Sequence, residues 1–273
     1  DEDAVEVVCT LIRRADIKDN RLWWAEGIVS TISHDKPNLA PRVFLATVEH
    51  EWKAEQTGIS YGPLKNSRGR YELPEVARAA PLTFLRDVWP WFVQQANTYF
   101  SRPGSFVLNH YGGSLKLTSD DMDEPSGEHI IDAIAVALKL SAETNPAEFS
   151  DIVRPSWMSE SMPVHRLICR TLASAADQNA AVALEYLRED TRRFFLGDYL
   201  NGYQNDSCEL VRSLSEQLDQ KQLQELVGLI RNATQYRPEV DQCDKQRMWD
   251  REARLLLLKS LPMDRLSPAT VQF

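Results

Sequence analysis

The sequence predicts an all-α protein, an irregular HEAT-like or related helical-repeat solenoid with long inter-helix loops. Three observations lead there. Apolar residues recur at three- and four-residue spacings through most of the 273 residues. Breaks rich in Gly, Pro, Asn and Asp separate the periodic runs. The stretch 163–190, PVHRLICRTLASAADQNAAVALEYLRED, reads as two amphipathic helices with a short polar break at Ala176-Asp177-Gln178-Asn179 that returns the chain antiparallel.

Asp3 can cap a first helix that carries Val5, Val8, Cys9, Leu11 and Ile12 and ends near Ala15. A second runs from about Asn20 to Ile32. Pro37 to Trp52 reads as a third, with Val43, Phe44, Val48 and Trp52 making one broad aromatic face. Residues 53–73 break the rhythm: Gly58, Gly62-Pro63 and Asn66-Ser67-Arg68-Gly69 signal a long loop or a small hairpin. A short helix from Pro74 to about Ala80 follows, then Pro81 to Leu85, then Asp87 to Tyr99. Val88, Trp89, Trp91, Phe92, Tyr99 and Phe100 form the most aromatic run, read as buried packing, and Pro90 inside it predicts a kink or a helix start.

Residues 101–128 are a second irregular region, either a hairpin around Asn109-His110-Tyr111-Gly112-Gly113 or an extended loop. Helices return at Glu128 to Leu140 and Pro146 to Val153, ahead of the 163–190 pair, whose first helix opens at Pro163. Asp190 to Ser207 is another break, with Phe194, Phe195, Leu196 and Tyr199 placed to fasten it across helix ends. Asp206 or Ser207 can cap a helix through Leu214, and Asp219 begins the next, with Leu223, Leu226, Val227 and Ile230. Gln242 to Leu261 is a long final helix with Trp249, Ala253, Leu256 and Leu257 at helical spacing. Pro262 ends it, and Leu266 to Phe273 opens another element or a docked tail. The total is roughly ten to thirteen helices in pairs of about 35–50 residues, the repeat size of such solenoids, with a compact bundle as the competing architecture. In domain terms, residues 1–52 are N-terminal helices, 53–73 an inserted loop, and 74–273 the helical-repeat region, either separate from 1–52 or continuous with it.

Composition narrows function more than it defines it. Hydrophobic content of 43% and charged content of 26% are those of a folded protein. The formal charge of -9 argues against non-specific binding to a nucleic acid backbone. Cys9, Cys169, Cys208 and Cys243 lie far apart and suit a reduced, cytoplasmic protein, with long-range disulfides as the alternative. No run is long and apolar enough to predict a membrane span, and no signal-peptide pattern opens the chain. The start, DEDAVEVV without Met, reads as that of an excised or processed segment of a longer protein, or as a boundary introduced at cloning.

Catalytic motifs are scarce. There is no GxxxxGK[ST], HExxH, CxxC or HRDxxxxN, so no catalytic, cofactor or metal residue is nominated and no cofactor is expected. The carboxylates Asp120, Asp121, Asp123 and Glu124 lack calcium-loop spacing and read as solvation at a helix start. Bracketed by His110 and His129, they are still the best place for a hydrolase or metal-dependent site, with His110, Asp120, Asp121 and His129 as its residues. His165 and Cys169, at i,i+4, read as a structural histidine beside a buried thiol. Arg188, Arg192 and Arg193 interleave with Glu185, Glu189 and Asp190, which favours surface pairing over phosphate contact.

The stretches AVALEYLREDTRRFFLGDYLNGYQNDSCELVRSLSEQLDQKQLQELVGLI and DKQRMWDREARLLLLKSLP resemble helical segments in the C-terminal regions of large bacterial STAND-type NTPases and related antiphage defence proteins. The resemblance covers roughly residues 74–273 and is strongest over 163–262. It implies a non-catalytic sensor or scaffold segment that recognises a protein partner or joins neighbouring domains of a larger chain, with oligomerisation open. It carries no catalytic residue onto this chain. The predicted partner surface lies in the three breaks, where Tyr61, Arg68, Arg70, Tyr71, His110, Tyr111 and Tyr199 offer mixed aromatic and polar contacts. The alternatives are the enzyme near 101–129 and a nucleic-acid-binding helical scaffold.

Overall fold

The computed structural model describes residues 2–15, 23–56, 73–100, 130–197, 202–235 and 243–266. Among them the protein is all-α: twelve α-helices and three short 3-10 turns, with no strand. The chain divides into two compact units, Asp1–Phe92 with Gly113–Ser141, and Val93–Gly112 with Ala142–Phe273.

In the first unit α1 (Glu2–Arg14) packs on α3 (Ala40–Gln56) through Val5, Cys9 and Ile12, which recur at four and three residues and so share one face. Helix α2 (Trp23–Asp35) lies on α3 and on the short α4 (Leu73–Ala79). The sequence placed a boundary between Leu85 and Asp87, but α5 (Pro81–Phe100) is one helix. Pro81 opens it with a φ already suited to the first turn. Pro90 sits inside without ending it, and the reason is orientation. Pro90 and Arg86, one turn before it, are both exposed, so the proline ring sits on the side of the helix away from the core. The opposite face carries Phe84, Leu85, Val88, Trp89 and Phe92 into the core, with the Phe44 and Phe84 rings 5.4 Å apart and Trp89 stacked on Phe92 at 5.5 Å. Helix α6 (Ile130–Thr144) is buried all round from Ile130 to Leu138, as its nearly uninterrupted apolar run requires.

The second unit is organised around α8 (Met162–Ser174). Before it come α7 (Pro146–Val153), capped by the Asn145 side chain, and a 3-10 turn at Arg154–Met158. After it come α9 (Ala176–Glu189), a 3-10 turn at Thr191–Phe195, α10 (Asn205–Gln217), α11 (Gln220–Asn232), α12 (Asp244–Lys259) and a last turn at Met263–Arg265. Helix α8 meets α9 and α10, α9 meets α10 and α11, and α10 meets α12. All of α8 from Val164 to Ala173 is buried, polar residues included.

Two local expectations change here. The predicted break at 176–179 is instead the first turn of α9, and the connection is the single residue Ala175. What remains of the break is a kink at Asn179 (φ -122°, ψ 18°), whose side-chain amide donates to the carbonyls of Ala142 and Ala175, each at 3.0 Å. That amide competes with the helix for its own backbone. Likewise Asp206 and Ser207 do not cap α10; Gln204 occupies that position and both lie inside the first turn, buried. Asp219 does cap α11, in a reciprocal capping box with Gln222. No described helix is long and apolar enough to cross a membrane.

Candidate functional site

The second unit brings its polar residues together around α8, within reach of the 3-10 turns on either side. His165 projects between them. Its Nε2 lies 2.8 Å from the Ser159 carbonyl, which can only accept, so that nitrogen carries the proton. Nδ1 then accepts from the Tyr186 hydroxyl at 2.9 Å. Burial, and then the positive charge of Arg193, lower the His165 pKa from 6.5 to about 3, so the ring is neutral. Tyr186, held by burial well above its ordinary range, keeps its proton.

Arg193 is 2% exposed. Its guanidinium lies 4.3 Å above the Tyr186 ring and 5.5 Å from the Trp157 ring, and donates to the carbonyls of Tyr186 and, at 2.6 Å, Trp157. Beside it, buried Arg192 is clamped by Asp190 at 2.6 Å and Glu160 at 2.9 Å. Burial alone would raise the Asp190 carboxyl, but the hydrogen bonds from Arg192 outweigh it and hold the carboxyl low. Next to His165 on α8, Arg166 pairs with Asp206 at 2.6 Å with both side chains nearly inaccessible. The Cys169 thiol donates to the Asp206 carbonyl at 3.4 Å, and burial with nearby Asp206 and Glu209 pushes its pKa well up. It is therefore a neutral packing group and not a nucleophile. Ser207 Oγ accepts from the Leu196 amide at 2.8 Å and donates to the Arg193 carbonyl at 2.9 Å, which is what the residue does in place of capping α10.

These contacts turn the chemistry inward. His165 has both nitrogens engaged and is a hub joining α8, α9 and the Ser159 backbone. Arg192 and Arg193 correct the surface-pairing expectation: the pairing exists, but in the interior, and only Arg188 makes its bond, to Glu225 at 2.6 Å, at the surface. Phe194, Phe195 and Leu196 are buried and fasten the 190–197 segment as their apolarity predicts. All four cysteines are free thiols.

The neutral histidine has a measurable consequence. Above about pH 6.5, His165 is neutral whether the chain is folded or not. Below it, the unfolded chain takes up a proton that the folded one refuses, down to about pH 3. The residue therefore withdraws roughly 1.4 kcal/mol of stability per pH unit across that window. The urea midpoint is expected to fall between about pH 7 and about pH 5, and His165→Gln to flatten that fall.

The residues predicted from sequence as a partner surface, Tyr61, Arg68, Arg70, Tyr71, His110, Tyr111 and Tyr199, lie outside the described residues, as do His110, Asp120, Asp121 and His129 of the alternative site. So does Gly58-Ile59-Ser60-Tyr61-Gly62, which spells G-x-S-x-G and corrects the expectation that the sequence holds no such motif. That motif works as a strand-to-helix elbow on a sheet, and the described residues contain no strand. Among the described residues, no three metal-binding side chains group together.

Two surface features remain. A cleft of about 240 Å³ lies between α11 and the residues after α12, lined by Gln220, Gln224, Gly228, Arg231, Arg265 and Leu266 among others. Arg265 anchors its rim by donating to the carbonyls of Ser215 and Leu218, each at 2.5 Å, at the C-terminal end of α10. The second feature is the outer face of α12. Ala253, Leu257 and Leu258 are buried, yet Met248 (50% exposed), Trp249 (43%) and Leu256 (53%) point to solvent. Lys245 lies over the Trp249 ring at 4.9 Å and holds the indole in place. Trp249 and Leu256, seven residues and so two helical turns apart, lie on one line along the helix, with Met248 beside them. Sequence reading grouped Trp249 and Leu256 with the core residues Ala253 and Leu257; the structure separates them. No family model, curated protein or solved structure matches the chain.

Proposed function

We propose that this chain is a protein-recognition or scaffold segment of a larger bacterial defence protein, built as an irregular helical repeat and working in the cytoplasm. The observation that carries the reading is the second apolar face of α12. A helix that fills the core with one side and turns Met248, Trp249 and Leu256 outward with the other has a contact surface to spare. Tryptophan is among the side chains that contribute most to protein–protein contacts. Helices α8 and α9 each meet the next helix and the next but one, as helices do in stacked pairs, which supports the repeat architecture. The inward use of His165, Cys169, Arg166, Arg192 and Arg193 supports a scaffold role, because these groups hold helices together. The resemblance of 163–262 to STAND-type C-terminal regions supports the sensor role, with Tyr61, Arg68, Arg70, Tyr71, His110, Tyr111 and Tyr199 as the recognition residues.

The test is affinity capture with the intact chain from phage-infected bacterial extract at moderate salt, with retained protein and nucleic acid identified. A retained protein that is lost from a Arg70→Ala/Tyr71→Ala/Tyr111→Ala variant with an unchanged thermal melt is the expected result. Retention of nucleic acid in place of protein overturns the reading, and binding that the triple variant leaves intact overturns the placement of the surface.

A further inference from the structure

We propose that the occupant of the α12 face is α1 of a second copy of this chain. The inference rests on the scaffold reading and names one of its partners. Helix α1 also carries apolar side chains on two sides. Val5, Cys9 and Ile12 face the core of the first unit, while Val7 (58% exposed) and Leu11 (55%) stand one turn apart on the opposite face. Two exposed aliphatic residues at i,i+4 are the unit from which helix–helix seams are built.

Charge selects α1 as the match for α12. The exposed charged residues of α12 are Lys245, Arg247, Arg251 and Lys259 against Asp244 and Glu252, an excess of positive charge in a chain whose formal total is -9. Those of α1 are Glu2, Asp3 and Glu6 against Arg13 and Arg14, and Arg13 is already held by Glu49 at 3.2 Å. A second α12 would set cations against cations. An α1 sets the acidic first turns beside Val7 against the cations around Met248 and Trp249. Opposite rims around apolar centres favour the unlike pair and steer its encounter. Because the two surfaces differ, the contact is heterologous, and each copy that uses its α12 still offers its α1.

That asymmetry supplies the test. The full chain is examined by analytical ultracentrifugation over a concentration series, alone and as two variants, Val7→Glu/Leu11→Glu and Trp249→Glu/Leu256→Glu. All four positions are exposed, and circular dichroism checks that each variant stays folded; Leu11→Ser and Leu256→Ser replace any that does not. The wild-type mass is expected to climb with concentration beyond the dimer, and to climb less at raised salt. Each variant alone is expected to remain monomeric. Mixed in equal amounts, the variants are expected to form a one-to-one dimer and stop, since the intact α12 of the first meets the intact α1 of the second. A wild type that stays monomeric overturns the proposal. So does a variant that assembles as the wild type does, or a mixture of monomeric variants that fails to pair. A monomeric chain that still captures a foreign protein would remove this partner and leave the recognition reading standing.

Discussion

A Gly197→Ala substitution is expected to destabilise the second unit by about 3 kcal/mol or more, at the top of the range for overpacking. A Cβ built at position 197 would sit 2.3 Å from the Gly202 carbonyl oxygen and 2.6 Å from both the Gln204 nitrogen and the Tyr203 carbonyl carbon. All three are backbone atoms, so no side chain can swing aside, and the segment itself would have to move. It has little room to do so. Gln204 donates to the Phe194 carbonyl at 3.0 Å, and Ser207 bonds the backbone at both Arg193 and Leu196. Displacing that segment therefore disturbs the Arg193 and Asp206 contacts together. Gly228→Ala is the control. That glycine is inside α11 with nothing within 4 Å of an added Cβ, so alanine there is expected to stabilise by about 0.5–1 kcal/mol through helix propensity. Urea midpoints that move in opposite directions for the two variants confirm the contrast; a Gly197→Ala protein as stable as wild type refutes the close approach.

Arg166→Met should cost about 3–5 kcal/mol, because it leaves the Asp206 carboxylate buried without the cation that offsets its desolvation. Methionine fills much of the same volume, so the loss reports charge more than packing. The informative comparison is the double variant Arg166→Met/Asp206→Leu. It removes both charges and is expected to recover most of the loss, since a buried pair is strongly coupled while its net worth against an apolar replacement is small. A double variant as damaged as the sum of the two single variants would mean that the side chains act independently, and would remove the ion pair from the account of how α8 is held on α10.

Helix identity was legible because it depends on local spacing. Val5, Cys9 and Ile12, the Asp219–Gln222 capping box and the Pro146 helix start all depend on residues within one turn or two of each other. Element ends were less legible where a proline or a polar residue had two outcomes. Pro90 is tolerated because its side of α5 faces water, and Asn179 bends α9 without ending it because Ala142 offers a carbonyl to its amide. Neither fact is local.

The candidate site lies almost wholly on that non-local side. Arg188, Arg192 and Arg193 look alike in a row of charges; which of them is buried depends on Glu160, Trp157 and Tyr186, brought in from other elements. Leu255, Leu256, Leu257 and Leu258 go round α12, so periodicity cannot say which two fill the core; packing against α10 and α11 chose Leu257 and Leu258 and left Leu256 beside Trp249 in solvent. By itself the sequence determined that the chain is helical and where most helices lie, because backbone hydrogen bonds and caps close within a few residues. Only the tertiary structure decided which polar groups are desolvated and which apolar face remains uncovered, because burial is a property of what surrounds a residue and not of the residue.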